Sequence, residues 1–170
     1  MTALDARRDD FRDGRDLRPV RRGAFVVDDG EMPPPVGVEI LDRDESVALL
    51  GARGVCRVVF TVDTLPAVLP VNYAVDAGAL VLSTGAGSRL ASAADGGVLA
   101  AQVDDLDSET RSGWSVVVTG VAELLPDGEE WRRLRGLVDQ WVPARNDVGI
   151  RLPMTLVTGR RIVADPVGSR

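Results

Sequence analysis

Within six residues, Thr84-Gly85-Ala86-Gly87-Ser88-Arg89, the chain gathers two hydroxyls, two glycines and a guanidinium. That set suits an anion. Hydroxyls, backbone N–H groups and a planar cation that donates in pairs are what a phosphate asks for. Glycine lets the backbone come close. Ser88 stands where a helix should begin, so free N–H groups would add to the grip. The same letters also spell a plain loop, with Ser88 as an N-cap and Arg89 facing solvent.

The rest of the composition narrows the chemistry. All twenty basic residues are arginine, because the sequence has neither lysine nor histidine. A Schiff-base lysine, a histidine-based triad and histidine metal ligands are therefore excluded. Cys56 is the single cysteine. It reads as a small core residue, since nothing near it in sequence would lower its pKa. With no calcium-loop spacing, no metal is expected. If the protein is an enzyme, a bound cofactor carries the reaction. The net charge of −6 argues against a general nucleic-acid binder. The chain lacks any run of 18 apolar residues, and its start is charged where a signal peptide would be apolar. The expected location is cytoplasmic, without membrane contact.

At 170 residues one domain is expected. A charged, proline-containing extension covers 1–38: either loosely docked, or an arm that wraps a partner subunit. The domain proper covers 39–165, and a short tail covers 166–170. Asp42 and Glu45 form a capping-box pattern for a helix from Ile40 to Arg53. Strands are expected at Gly54 to Val62, Pro66 to Val75, Ala79 to Ser83, Gly97 to Asp104, Trp114 to Leu125 and Arg151 to Val163. Val-rich composition and short turns favour strands in a small closed or split barrel. Pro66 and Pro70 cannot donate to a ladder, so part of their strand is an edge or a bulge. Gly120, in mid-strand, points to a bulge or sharp bend. A short helix follows Ser88. A second, Glu129 to Trp141, carries Trp131, Leu134, Leu137, Val138 and Trp141 as a core or dimer-packing face, with Arg132, Arg133 and Arg135 as a solvated one. Asp105 to Ser112 reads as a polar loop. Arg57 has two open readings, a reach toward a ligand or an ion pair with Asp104, Asp105 or Asp107.

The ordered series G-V-C-R-V-V-F, L-P-A-V-L-P-V-N-Y, D-A-G, T-G-A-G-S-R-L, V-D-D-L-D and G-W-S-V-V-V-T-G-V-A resembles the pyridoxamine 5′-phosphate oxidase-like flavin-binding family, and its short actinobacterial oxidase-like members most of all. The likeness spans Glu39 to Val163. It implies a mainly β fold, a six-stranded antiparallel split β-barrel homodimer, with FMN in clefts at the subunit interface. Carried over residue by residue, Thr84, Ser88 and Arg89 would hold the phosphate. Leu69, Pro70, Val71 and Asn72 would line the flavin ring. Trp114, with Gln102 and Arg160, would approach from the second subunit. Trp114 has an equal reading as barrel core.

Two departures bear on activity. The Arg-Leu-Pro-type C-terminal segment of true vitamin-B6 oxidases has no counterpart, because Arg151-Leu152-Pro153 precedes the last expected strand. Haem-handling and nitroimidazole-reducing relatives use a histidine that this chain lacks. The expected function is an FMN-dependent oxidoreductase of unknown small-molecule substrate, with no catalytic side chain assigned. A deazaflavin is the alternative cofactor. A non-catalytic FMN carrier, or a flavin-free dimeric interaction module, is the alternative class.

Overall fold

Alternation of apolar and polar residues builds most of the described residues into one hydrogen-bonded sheet. The structure, a computed structural model, describes residues 37–51, 54–141 and 148–163. The extension, but for its last two residues, and the tail lie outside the described residues. So do Arg53 and residues 142–147.

The strands are β1 (Val38–Leu41), β2 (Val55–Val62), β3 (Leu65–Asp76), β4 (Ala79–Thr84), β5 (Val98–Asp107), β6 (Ser112–Val121), β7 (Glu123–Leu125), β8 (Val148–Pro153) and β9 (Leu156–Ile162). The helices are α1 (Arg43–Leu50), α2 (Arg89–Ala93) and α3 (Glu129–Arg135). Their sheet order is β1-β9-β6-β5-β2-β3-β4-β8-β7, antiparallel throughout. The mainly β expectation holds, and the architecture is consistent with a split barrel. The count of six does not hold: among the described residues nine strands pair in one series, without a ring of six.

Each extra strand has a local cause. Ile40 belongs to β1, which pairs with β9, so the expected helix starts later, at Arg43. Its capping box is present: the Asp42 carboxylate accepts from the Glu45 N–H at 2.8 Å, and the Glu45 side chain accepts from the Asp42 N–H. The Trp114-to-Leu125 run breaks at buried Ala122 into β6 and β7. The last expected strand breaks at Met154-Thr155. β8 then pairs with β4, and β9 with β6. The polar loop shrinks as well, because β5 runs on to Asp107 and β6 begins at Ser112. Gly120 sits within a regular β5–β6 register and makes no bulge. A β-carbon there would collide with the Pro153 carbonyl, so close approach, not bending, calls for the glycine.

Two cores result. The main one draws Val58, Phe60, Leu99, Val103, Val116 and Val118 together with Tyr73, Leu80, Leu82, Ile150 and Leu152. Leu50 and Leu90 close it. The smaller one lies under α3 on the other face of β4, formed by Val81, Leu125, Trp131, Leu134 and Val138. The expected long helix stops at Arg135, where Gly136 caps it, and Leu137 and Trp141 are left exposed. Arg133 is not merely solvated: its guanidinium grips the Asp76 carboxylate with two 3.1 Å bonds. That guanidinium holds the Asp76 carboxyl below its usual range.

Candidate functional site

The strand β3 changes partners halfway. Residues 65–72 pair with β2, and residues 73–76 pair with β4. Among the described residues, nothing pairs with the second edge of residues 65–72. The Tyr73 N–H donates to the Gly54 carbonyl on the β2 side. Backbone groups alternate along a strand, so those of residues 66, 68, 70 and 72 point to the open edge. Pro66 and Pro70 therefore fall where a donor would have no strand to meet. The edge expected from the two prolines is real, and they blunt it against stray strand pairing. What remains on it is a row of carbonyls, with N–H groups at Val68 and Asn72.

The side chains of this half-strand divide between two faces. Leu69 and Val71 pair with Val58 and Cys56, which are buried, so they point inward. Leu69 nevertheless stays 43% exposed, because no strand of the described residues lies beyond it. Pro70 and Asn72 point outward, beside Arg57 and Val55. The four expected ring-lining residues thus share one backbone edge but not one face. The Asn72 side chain is already engaged: its amide donates to the Gly54 carbonyl, and its oxygen accepts the Trp141 N–H, both at 3.3 Å.

The Thr84–Arg89 loop leaves β4 opposite this edge. Thr84 Oγ1 and Ser88 Oγ lie 3.0 Å apart. Ser88 Oγ also accepts the Ala91 N–H at 3.0 Å, as the N-cap of α2. The Ser88 N–H donates to the Gly85 carbonyl at 3.2 Å. Gly87 has φ of 73°, a conformation that favours glycine. Arg89 is exposed and has no ion-pair partner among the described residues. It lines a groove of about 350 Å³ with Thr61, Val62, Asp63, Gly87, Ser92 and Ala93. The three expected phosphate residues are therefore neighbours on one loop. Asp63, which sequence reasoning missed, sets a carboxylate in the same groove. An anion must sit on the Gly87–Arg89 side of it.

Trp114, Gln102 and Arg160 are not brought to this edge within one chain. Their strands stand three, two and four positions from β3 in the sheet. At about 4.8 Å per strand, that is roughly 10–20 Å. Trp114 is half-buried against the main core. Arg57 takes the ion-pair reading, with its Nη1 2.6 Å from Asp104 Oδ2. Gln102 donates to Ser115 Oγ at 3.4 Å. Burial pushes the Cys56 thiol up to about 12, and its sulfur contacts the Val71 carbonyl at 3.6 Å. It is a core residue, not a nucleophile. Among the described residues, no cluster of Cys, Asp and Glu could hold a metal ion. No helix of the described residues is long and apolar enough to cross a membrane.

The fold has counterparts among known proteins. Residues 42–161 match the family described as pyridoxamine 5′-phosphate oxidase. Uncharacterized protein Rv0080 of Mycobacterium tuberculosis is 43% identical over 130 residues, 74% of this chain and 86% of that relative. An FAD binding protein from Mycobacterium smegmatis is 31% identical, with a TM-score of 0.58 over 74% of this chain and 98% of its own. An FAD-binding protein from Mesorhizobium loti is 27% identical, with a TM-score of 0.62 over 73% and 97%.

Proposed function

The chain belongs to the pyridoxamine 5′-phosphate oxidase family, and from that premise we propose that it binds a flavin along the open edge of β3. The observation that carries this reading is the edge itself. Among the described residues, a half-strand of apolar side chains has one backbone edge without a strand partner, and the loop that leaves the neighbouring β4 carries two hydroxyls and a guanidinium with no ion pair. A flavin has the matching parts: a flat apolar ring with polar atoms on its rim, and a phosphate at the end of a short chain. Leu69 and Val71 would meet the ring from the inner face, and Pro70 from the outer. The N–H groups of Val68 and Asn72 would serve its rim. Thr84, Ser88 and Arg89 would hold the phosphate. The loop supplies one guanidinium, which fits the single phosphate of FMN. FAD, which the two related structures bind by their descriptions, would need a further site for its second phosphate and adenosine.

The second wall of the cleft comes, in this proposal, from another copy of the chain. The outer face of β2, β5 and β6 carries Val59, Ala100, Val117 and Val121, and no helix of the described residues packs on it. A homodimer through that face would bring the partner's Gln102 and Trp114 strands toward the edge.

A bound flavin supplies hydride chemistry at its ring, so the activity is that of an oxidoreductase. The protein's part is to orient the ring and to keep water from one face. One observation favours a second reading, a carrier without catalysis. Among the described residues, the ionisable side chains lining the groove are one carboxylate, Asp63, and one guanidinium, Arg89, and a carrier needs neither of them to move a proton.

The test is to purify the full chain and identify what leaves it on denaturation. FMN is the expected outcome, with FAD or a deazaflavin told apart by chromatography and mass. A colourless protein that takes up no added flavin would sink the proposal. Light scattering tests the dimer, and a monomer at working concentration would remove the second wall.

A further inference from the structure

Trp141 is 71% exposed, although an indole gains more from burial than almost any side chain. Its position at helical spacing after Trp131, Leu134 and Val138 predicts a fourth core or dimer-packing residue. Those three are buried under α3, but Trp141 is not. The chain reaches it through turns after Gly136, whose N–H and that of Leu137 bond back onto the last helical turn.

Two polar anchors hold it where it is. Gln140 Nε2 donates to Ser83 Oγ at 3.3 Å. The Trp141 N–H donates to Asn72 Oδ1 at 3.3 Å, while Asn72 Nδ2 holds the Gly54 carbonyl. Both anchor points are telling. Asn72 is the last residue of the open half of β3. Ser83 precedes Thr84, whose hydroxyl meets Ser88. The backbone of Trp141 is thus held beside the fork where β3 and β4 part, at the Asn72 end of the open edge, with its side chain exposed. A flat apolar group held in water by its own backbone suits a flat ligand.

We propose that Trp141 is a stacking residue, its indole lying against the flavin ring at the Asn72 end of the edge. This rests on the flavin reading. It divides the site into a ring end at Asn72 and Trp141 and a phosphate end at Arg89. A test must therefore separate ring from phosphate.

Riboflavin carries the ring without the phosphate, so it and FMN together make that separation. The full chain and its W141L, W141F and R89A variants are titrated with both, by equilibrium dialysis. W141L is expected to lose roughly tenfold in affinity for both ligands, the scale of one aromatic stack. W141F should keep most of it, since it retains a π face. R89A should weaken FMN and leave riboflavin unchanged. The fluorescence of bound flavin should rise in W141L, because contact with an indole quenches it. An unchanged unfolding midpoint in W141L would show that the fold is intact. Equal affinity of W141L and the unaltered chain for both ligands would overturn the stacking role. So would a loss that follows dissociation of dimer into monomer, since Trp141 would then be an interface residue. If the unaltered chain binds neither ligand, the flavin reading itself has failed, and this proposal with it.

Discussion

The two halves of β3 share one strand and one composition, yet live in different surroundings. From Tyr73 to Asp76 the strand has β2 or β4 at its edges and α3 beyond, and Tyr73 is buried with its hydroxyl on the Leu50 carbonyl. From Leu65 to Asn72 it has one neighbouring strand among the described residues, and Val68 is 56% exposed. Apolar residues in the first setting stabilise the fold. In the second they leave apolar area in water, which a ligand or a partner can cover. The difference shows that neighbouring strands decide whether apolar residues of this strand are buried or left in water.

That contrast can be broken by substitution. The largest effect on folding is expected from Leu82→Ala, opposite Tyr73 in the paired half. Its side chain is fully buried, so denaturant unfolding should show a loss of about 2–5 kcal/mol. Leu69→Ala, in the open half, should cost well under half of that and act on flavin affinity instead. Equal losses at the two sites would mean that the open edge is core after all. Proline sharpens the same point. Ala74 directs its N–H toward β4, so Ala74→Pro should cost about 1–3 kcal/mol for the carbonyl left without a donor. Val68→Pro should leave the unfolding midpoint nearly unmoved while weakening flavin binding.

Arg89→Ala comes next. It should weaken FMN binding by roughly 1.5–3 kcal/mol, the value of a charge-assisted hydrogen bond, without changing stability. Unaltered affinity would place the phosphate grip elsewhere.

The smallest effect concerns Cys56, beneath the open half. Its thiol is raised from 9.0 to about 12 by burial, so the folded state holds a proton that the unfolded state gives up. The corresponding stability is fully present below pH 9 and is lost between pH 9 and 12. Cys56→Ala should flatten that part of the pH–stability profile. Rapid labelling of Cys56 by a thiol reagent in the native protein at pH 8 would show that it is not sealed.

Much of the candidate site was legible in residue types. Thr84, Ser88 and Arg89 are close in sequence, so a short loop holds them close in space whatever surrounds it. Pro66 and Pro70 announced an unpaired edge, because a residue without an N–H cannot serve a central ladder. Long-range placement was harder to read. Asp63 reaches the groove only because the β2–β3 turn folds over α2, and no local pattern carries that. The exposure of Trp141 removes only the core reading of that face: helical spacing says which residues share a face, not whether the helix lasts, and Gly136 ends it.

The sequence by itself determined the chemistry available and the local elements. No lysine or histidine exists to do catalysis, the Asp42–Glu45 box starts a helix, and alternating apolar residues make strands. These follow from side-chain chemistry and from periods of two and 3.6 residues, which act over a few positions. Only the tertiary structure decided the rest. It split one expected strand at Met154 because β8 and β9 serve different neighbours, and among the described residues it left half of β3 without a strand on its second edge. Strand pairing joins residues far apart in the chain, and its free energy depends on the whole sheet at once. Whether Leu69 is core or binding surface could not be settled until every other strand had found its place.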